Sequence, residues 1–417
     1  MFKDITYYKP DLEACIGRVR RFFEAAPGAP SALLYTFPSV MTLQGPRLNE
    51  YDFETELHRY LDDYLSFQAQ LMEIRRGLED DWVPSVGPYL GIGEYSAFVA
   101  GDIEFGPDTS WTKPVLTDKS RMRDLRLDPS NRWFVRLNRA TRYIVERISP
   151  SRIPFGRGYY SPLDLAWALR GEDIYTDFYE DPPWVHELLK FCTSATVWFA
   201  SAQNKVMFTS DLVHSLSAWH CAPDRLAVSE DISSLCSAAH YREFGAPYTR
   251  EAFRAFGMGD IHCHSAGPHV IPEFLKLERV RQVQIVADPN QTRPVKILEA
   301  LISNHPEVVS RVANCPVIAV DVSPDEVEDY FELSKSARIV FSVVTDNAAE
   351  AREAVLMFRA KQRAQRNPVV SCRRKRLDPR VFEFGGGGGS QGYEGPDSER
   401  DSGRLSLGSR RRSRSSL

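Results

Sequence analysis

The run Gly259-Asp260-Ile261-His262-Cys263-His264-Ser265-Ala266-Gly267 holds two imidazoles one residue apart. In a strand, the period of two places His262 and His264 on one face and Cys263 on the other. The glycine that ends the run lets backbone and ligand approach closely. Such a strand end can offer proton donors and acceptors, or two ligands for one ion. The plain alternative is a pair of hydrogen-bonded histidines with no chemical role.

Zinc asks for three or four protein ligands. Around this run no third is evident: His269 lies past Gly267, Cys263 faces away, and Cys315 leads a different segment. The expectation is therefore chemistry without metal or cofactor, with His262 and His264 as the ligands if zinc binds. Acid–base work has more candidates. Asp81 follows Asp80 just before an apolar segment, and stands either at the mouth of a strand or as its cap. Glu230 and Asp231 are neighbours, so only one can point inward from a strand; Asp231 also reads as the cap of the turn that follows it. Arg157, in Gly156-Arg157-Gly158-Tyr159-Tyr160, could bring a guanidinium and a phenol to a carboxylate, or stand solvated at the surface. No Walker loop, no dinucleotide-binding GxGxxG after a strand and no HExxH is present.

These residues need elements to place them. Helical spacing marks residues 11–25, 52–78, 131–146 and 183–203, and a helix opening at Pro162 behind the capping residue Ser161. Strand patterns fall at 31–37, from Asp81 to Pro84, at 152–155, 225–229 and through His262. After the last of these the rhythm is regular: strands at 283–286, 316–320 and 337–344 alternate with helices at 294–303, 324–333 and 347–365. A further stretch, 205–208, reads as strand or helix end and is the one to drop from a count of eight. Repeated βα units imply a parallel sheet, and the expected class is an α/β (β/α)8 barrel with N-terminal helical additions. Asp231, His264, Asp288 and Asp321 end their strands, on the face where such barrels carry active sites. The Gly- and Pro-rich segment 84–117 is long enough to act as a lid.

The expected domains are a barrel over 1–365 and a basic, Gly/Ser/Arg-rich tail over 366–417, disordered because it cannot bury enough apolar surface to offset its ordering entropy. Its arginines suit acidic partners, or make its serines kinase targets; a solvated tail without a fixed role is the plainer reading. A net charge of −4 over 417 residues implies no nucleic-acid or membrane partner for the chain as a whole. Seven scattered cysteines without a CxxC pair fit reduced thiols. No run nears the roughly 18 apolar residues that span a bilayer, and the start Met1-Phe2-Lys3-Asp4 lacks the apolar core of a signal peptide. The expected place is the cytoplasm, and a homodimer is compatible with the chain.

Three pieces in order resemble the uroporphyrinogen decarboxylase superfamily, which also contains the methylcobalamin:coenzyme M methyltransferases. They are Ser161-Pro162-Leu163-Asp164-Leu165-Ala166-Trp167-Ala168-Leu169-Arg170-Gly171 with Asp181-Pro182-Pro183-Trp184-Val185; Glu230-Asp231-Ile232-Ser233 with Tyr241-Arg242-Glu243-Phe244-Gly245-Ala246-Pro247-Tyr248; and His264-Ser265-Ala266-Gly267, similar to the family's His-x-Cys-Gly. The resemblance spans roughly residues 10–360 and implies a TIM barrel with its pocket at the strand C-termini. Two departures stand out. Ala266 replaces the zinc-binding Cys of the methyltransferase branch, and no Cys lies in 337–344. The arginine-rich N-terminal motif of the decarboxylases is replaced by Phe37-Pro38-Ser39-Val40-Met41.

The first expectation is a carboxy-lyase of the decarboxylase type, acting without cofactor on a carboxylated tetrapyrrole or related small molecule. Asp81 would stabilise a protonated pyrrole-like intermediate, and His264 or Tyr160 would move protons, with Asp231 a further acid. Arg157, His262 and Asp288 would hold the substrate. The alternatives are a corrinoid- or thiol-dependent methyltransferase with an altered zinc site at His262 and His264, and a non-catalytic barrel whose tail recruits partners.

Overall fold

A computed structural model describes residues 2–25, 29–38, 43–207, 223–305 and 317–366. The expected tail, the N-terminal segment from Ser39 to Met41, Cys221, Cys315 and Phe208 lie outside the described residues. So do the side chains of 317–321, Asp321 among them.

Two helices, Ile5–Tyr8 and Leu12–Phe23, precede the first strand. The second buries Leu12, Cys15, Ile16, Val19 and Phe22, a stripe at helical spacing. Among the described residues nine strands follow: β1 (Ala32–Pro38), β2 (Ile103–Phe105), β3 (Ser110–Thr112), β4 (Tyr159–Tyr160), β5 (Arg225–Ser229), β6 (Met258–His264), β7 (Val280–Val286), β8 (Val317–Val322) and β9 (Ile339–Thr345). Seven form one sheet in the order β1-β9-β8-β7-β6-β5-β4, and every neighbouring pair is parallel. β2 and β3 form a separate antiparallel hairpin.

From β4 to β9 each strand is the lateral neighbour of the next in sequence, and helices Pro162–Arg170 and Pro182–Met207, Ala246–Phe256, Ile271–Lys276, Pro294–Asn304 and Val327–Leu333 fill the intervals. This is the stepwise pattern of repeated βα units. One sheet face is apolar and packs under helices: Phe341 of β9 lies 5.6 Å from the Tyr330 ring and 5.4 Å from Phe358 of the last helix, Ala348–Arg366. The other face carries the polar residues. The pairings Tyr160–Ser229, Ser229–His262 and His262–Gln284 run as one lateral row across β4, β5, β6 and β7.

Two expected strands do not form ladders. Among the described residues the segments around Asp81–Pro84 and 152–155 share one parallel bridge, Val86 to Phe155. It is flanked by backbone bonds from Val86 N to the Pro154 oxygen (3.0 Å) and from Gly156 N to the Val86 oxygen (3.1 Å), while Asp81 N donates to the Leu34 oxygen of β1 (2.7 Å). Pro84, Pro88 and Pro154 lack the N–H that a continuous ladder needs. The stretch at 205–207 ends the helix Pro182–Met207 and is not a strand. Segment 84–117, expected as loop, contains the β2–β3 hairpin and the short helix Glu94–Ala97. Among the described residues, no helix is long and apolar enough to cross a membrane.

Candidate metal centre

β6 alternates as its sequence requires. His262 and His264 share a face with ring centroids 5.1 Å apart. Cys263 turns the other way, is buried, and its thiol donates to the Gln284 backbone oxygen at 3.2 Å. Each imidazole is held at Nδ1. His262 Nδ1 lies 2.7 Å from Gln284 Oε1, and His264 Nδ1 lies 2.7 Å from Asp288 Oδ1. Both partners are acceptors, so each Nδ1 carries a hydrogen, and in the neutral ring the lone pair is then on Nε2. Asp288 is itself fixed: its Oδ2 accepts from Ala266 N at 2.9 Å and from Ser265 Oγ at 3.3 Å, and its own N–H donates to Ser265 Oγ at 2.8 Å.

The two Nε2 atoms meet a carboxylate. Asp231 Oδ1 stands 3.6 Å from His262 Nε2 and 3.6 Å from His264 Nε2. That oxygen is buried and accepts no hydrogen bond. All three ligand atoms lie within 4.8 Å of one another. Donors about 2.1 Å from a tetrahedral zinc sit about 3.4 Å apart, so the spacing suits one small cation. Burial pushes the His262 imidazole down to about 4, which keeps it neutral and able to ligate at neutral pH.

Two more acids lie behind Asp231. Asp164, in the first turn of the helix Pro162–Arg170, accepts from Ser229 Oγ (2.6 Å), Asp231 N (3.1 Å) and Ile232 N (3.1 Å). Glu230 accepts from Ser161 Oγ (3.1 Å), Tyr241 Oη (3.1 Å) and Thr249 Oγ1 (2.5 Å). Burial raises both carboxyls, and each is raised further by a neighbouring acid: Asp231 for Asp164, and Asp164 for Glu230. Burial raises Asp231 too, against the pull of His264. Among the described residues, no lysine or arginine forms an ion pair with Asp164, Glu230, Asp231 or Asp288. Asp260, two residues before His262, is the contrast: Arg281 grips it at 2.9 and 3.0 Å and Arg225 stands at 3.4 Å. The fold neutralises one interior acid with guanidinium groups and gives Asp231 only imidazoles.

The structure thus brings together Asp231, His262, His264, Asp288 and Tyr160. Tyr160 is buried with its ring 5.3 Å from Tyr95, and its phenol is raised by burial and by the charges of Asp164 and Asp231, so it holds its proton. Asp288, expected to bind substrate, is engaged in orienting His264. Of the two neighbouring acids only Asp231 faces the imidazoles; Glu230 turns to Ser161, Tyr241 and Thr249 of the helical layer, and Asp231 opens the turn Asp231–Leu235 rather than capping it.

Two expected residues stand elsewhere. Asp81 is fully buried, but Arg18 Nε (2.7 Å), Arg359 Nη2 (2.7 Å), Arg359 Nη1 (3.1 Å) and Leu34 N (3.0 Å) occupy its oxygens. It ties the N-terminal and last helices to β1. Arg157 is also buried. It pairs with Glu94 at 3.1 Å, and its guanidinium lies 5.1 Å from the Phe199 ring and 5.6 Å from the Tyr159 ring. Its charge answers Glu94 rather than a carboxylate at the strand ends. Sequence reasoning did not single out Asp164 or Gln284. For Gln284 a signal was available: Gln282 and Gln284 alternate with the apolar Val283 and Ile285, which marks one polar face.

No family model matches the chain, and no curated protein matches it. Among solved structures, it is similar in fold to a methyltransferase from Methanosarcina mazei. That similarity has a TM-score of 0.54 at 11% identity and covers 83% of this chain and 98% of the other. At this identity the likeness speaks for the fold, an α/β architecture built on a parallel sheet.

Proposed function

We propose that this protein is a metal-dependent transferase of methyl or similarly small groups, with one divalent cation held by Asp231, His262 and His264. In this reading segment 81–86 stands between β1 and β4, with 153–156 leading into β4, to complete an eight-membered ring of strands, and residues 1–365 are one catalytic domain. The observation that carries the proposal is the convergence of Asp231 Oδ1 with two Nε2 lone pairs at 3.6 Å. Atoms so placed call for a cation or a shared proton between them, and among the described residues no lysine or arginine forms an ion pair with Asp231.

Two imidazoles and one carboxylate leave at least one coordination position open, as catalytic zinc sites do. A bound divalent cation there would supply Lewis acidity, lowering the pKa of a thiol or water that fills the open position. The chain's own residues do the rest. Asp288 and Gln284 hold the imidazole tautomers, Tyr160 keeps a proton beside Asp231, and Asp164 fixes the backbone at Asp231 through the Asp231 and Ile232 amides.

The cluster of acids weighs against the carboxy-lyase reading. A polycarboxylate substrate would meet four acids here, while Arg157, its expected anchor, is committed to Glu94. The methyltransferase fold likeness points the same way. The test is methyl transfer from methylcobalamin to a small thiol, followed by the loss of the methylcobalamin absorbance, with uroporphyrinogen decarboxylation run in parallel. The expected result is thiol- and metal-dependent turnover that is lost in His264→Ala. Cation-loaded protein that demethylates nothing, or that decarboxylates uroporphyrinogen, overturns the proposal.

A further inference from the structure

The turn that delivers Asp231 is capped from outside itself. Residues 231–235 form a short helical turn, whose first N–H groups have no partner within the turn. The usual remedy is a side chain at the cap position, but Glu230 occupies that position and makes no capping bond. Its carboxylate is turned to Ser161, Tyr241 and Thr249. Asp164 takes over. Its Oδ2 accepts Asp231 N at 3.1 Å and Ser229 Oγ at 2.6 Å, and its Oδ1 accepts Ile232 N at 3.1 Å.

Asp164 is well placed for this. It sits in the first turn of its own helix, where its N–H donates to Ser161 Oγ at 3.1 Å, so its backbone is pinned before its side chain reaches across. It is 2 % exposed, and its three acceptor contacts tie together the last residue of β5 and the two residues after Glu230. Bonds to two successive amides, one from each carboxyl oxygen, fix the direction of the chain at Asp231, and with it the place of Oδ1 between the imidazoles.

We infer that Asp164 is a positioning residue: it builds the turn that aims the Asp231 carboxylate at His262 and His264, and so sets how tightly the site holds its cation. The inference rests on the metal-site reading for its consequence, while its geometric half is independent of it. A carboxylate on a separate helix therefore acts on the site without touching the cation.

The experiment uses the full-length chain with Asp164→Ala, Asp164→Asn and Ser229→Ala. Metal-free protein is titrated with Co2+, and affinity is read by chelator competition and ligand geometry by the visible absorption bands. Separately, the metal-free imidazole nitrogens are recorded by long-range 1H–15N spectroscopy, with Asp231→Ala as reference. Asp164→Ala is expected to weaken Co2+ binding by about tenfold or more, the range for losing a residue that orients a ligand. Its visible bands should change, and its His262 and His264 resonances should move as they do in Asp231→Ala. Asp164→Asn keeps one carbonyl oxygen for the amides and should fall between Ala and the wild type. If Asp164→Ala does not fold, Ser229→Ala decides through the same two readouts. Wild-type affinity, bands and imidazole signals in a folded variant overturn the inference. If the wild type binds no Co2+, the metal reading fails, and the imidazole signals alone decide whether Asp164 positions Asp231.

Discussion

Replacing Asp288 tests how the site chooses its ligand atoms. Its Oδ1 accepts the Nδ1 hydrogen of His264 at 2.7 Å, while Oδ2 is occupied by Ala266 N and Ser265 Oγ. Asp288→Ala removes the partner and leaves the ring freer to turn. Losing such a partner costs about 10- to 100-fold in metal affinity, or roughly 1.4–2.7 kcal/mol. Asp288→Asn should do at least as much harm, although it is nearly the same size. If its carbonyl oxygen stays with Ala266 and Ser265, its amide N–H faces His264 Nδ1. That forces the ring hydrogen onto Nε2 and covers the lone pair the cation needs. If the amide turns round, its N–H groups face the Ala266 N–H and that bond is lost. Co2+ affinity measured by chelator competition at pH 7 is the assay, with circular dichroism to confirm the fold. Wild-type affinity in Asp288→Asn would refute the assignment of hydrogens on which the site depends.

Three predictions concern other parts of the molecule. Burial works to raise the Asp80 carboxyl, but Arg75 and Lys9 outweigh it and hold it below the ordinary carboxylate range. Its stabilising contribution is therefore present above about pH 3.9, the unfolded value, and is lost as pH falls through the folded one. Asp80→Asn should cost about 3–5 kcal/mol at pH 7 and less at pH 3; urea midpoints showing an equal loss at both would contradict this. Gly259→Ala would place a methyl carbon 2.1 Å from two carbons of the buried Phe253 ring, so a loss of about 1–3 kcal/mol is expected, partly restored by adding Phe253→Leu. An unchanged thermal midpoint in the single variant would show that β6 has room the packing denies. Arg157→Met strands the buried Glu94 and should cost about 3–5 kcal/mol in urea unfolding with Co2+ affinity unchanged. Weakened Co2+ binding at unchanged stability would restore Arg157 to the site.

Local patterns carried much of the fold. Period-two alternation placed both imidazoles on one face of β6, and β5 was bounded correctly by its apolar run and the acids after it. Ser161 caps Asp164 N as its place before Pro162 suggested. What needs contacts between distant segments was not legible. Asp231 reaches His262 because Ser229 pairs with His262 across two strands, and nothing within either segment states that register. Asp81 resembled a catalytic acid because its two guanidinium partners, Arg18 and Arg359, lie 63 and 278 residues away. Arg157 resembled an anion binder because Glu94 sits in a loop-rich segment whose packing has no sequence period. The broken strands near Pro84 and Pro154 show the opposite case, an apolar run whose prolines outweigh its strand pattern.

The most direct measurement is metal stoichiometry. Full-length protein, stripped with chelator, re-equilibrated with Zn2+ and dialysed, is analysed by mass spectrometry for bound metal beside Asp231→Ala, His262→Ala and His264→Ala. One equivalent of zinc in the wild type and its loss in each variant is the expected result. No bound metal in the wild type, or a full equivalent in all three variants, would contradict the metal centre.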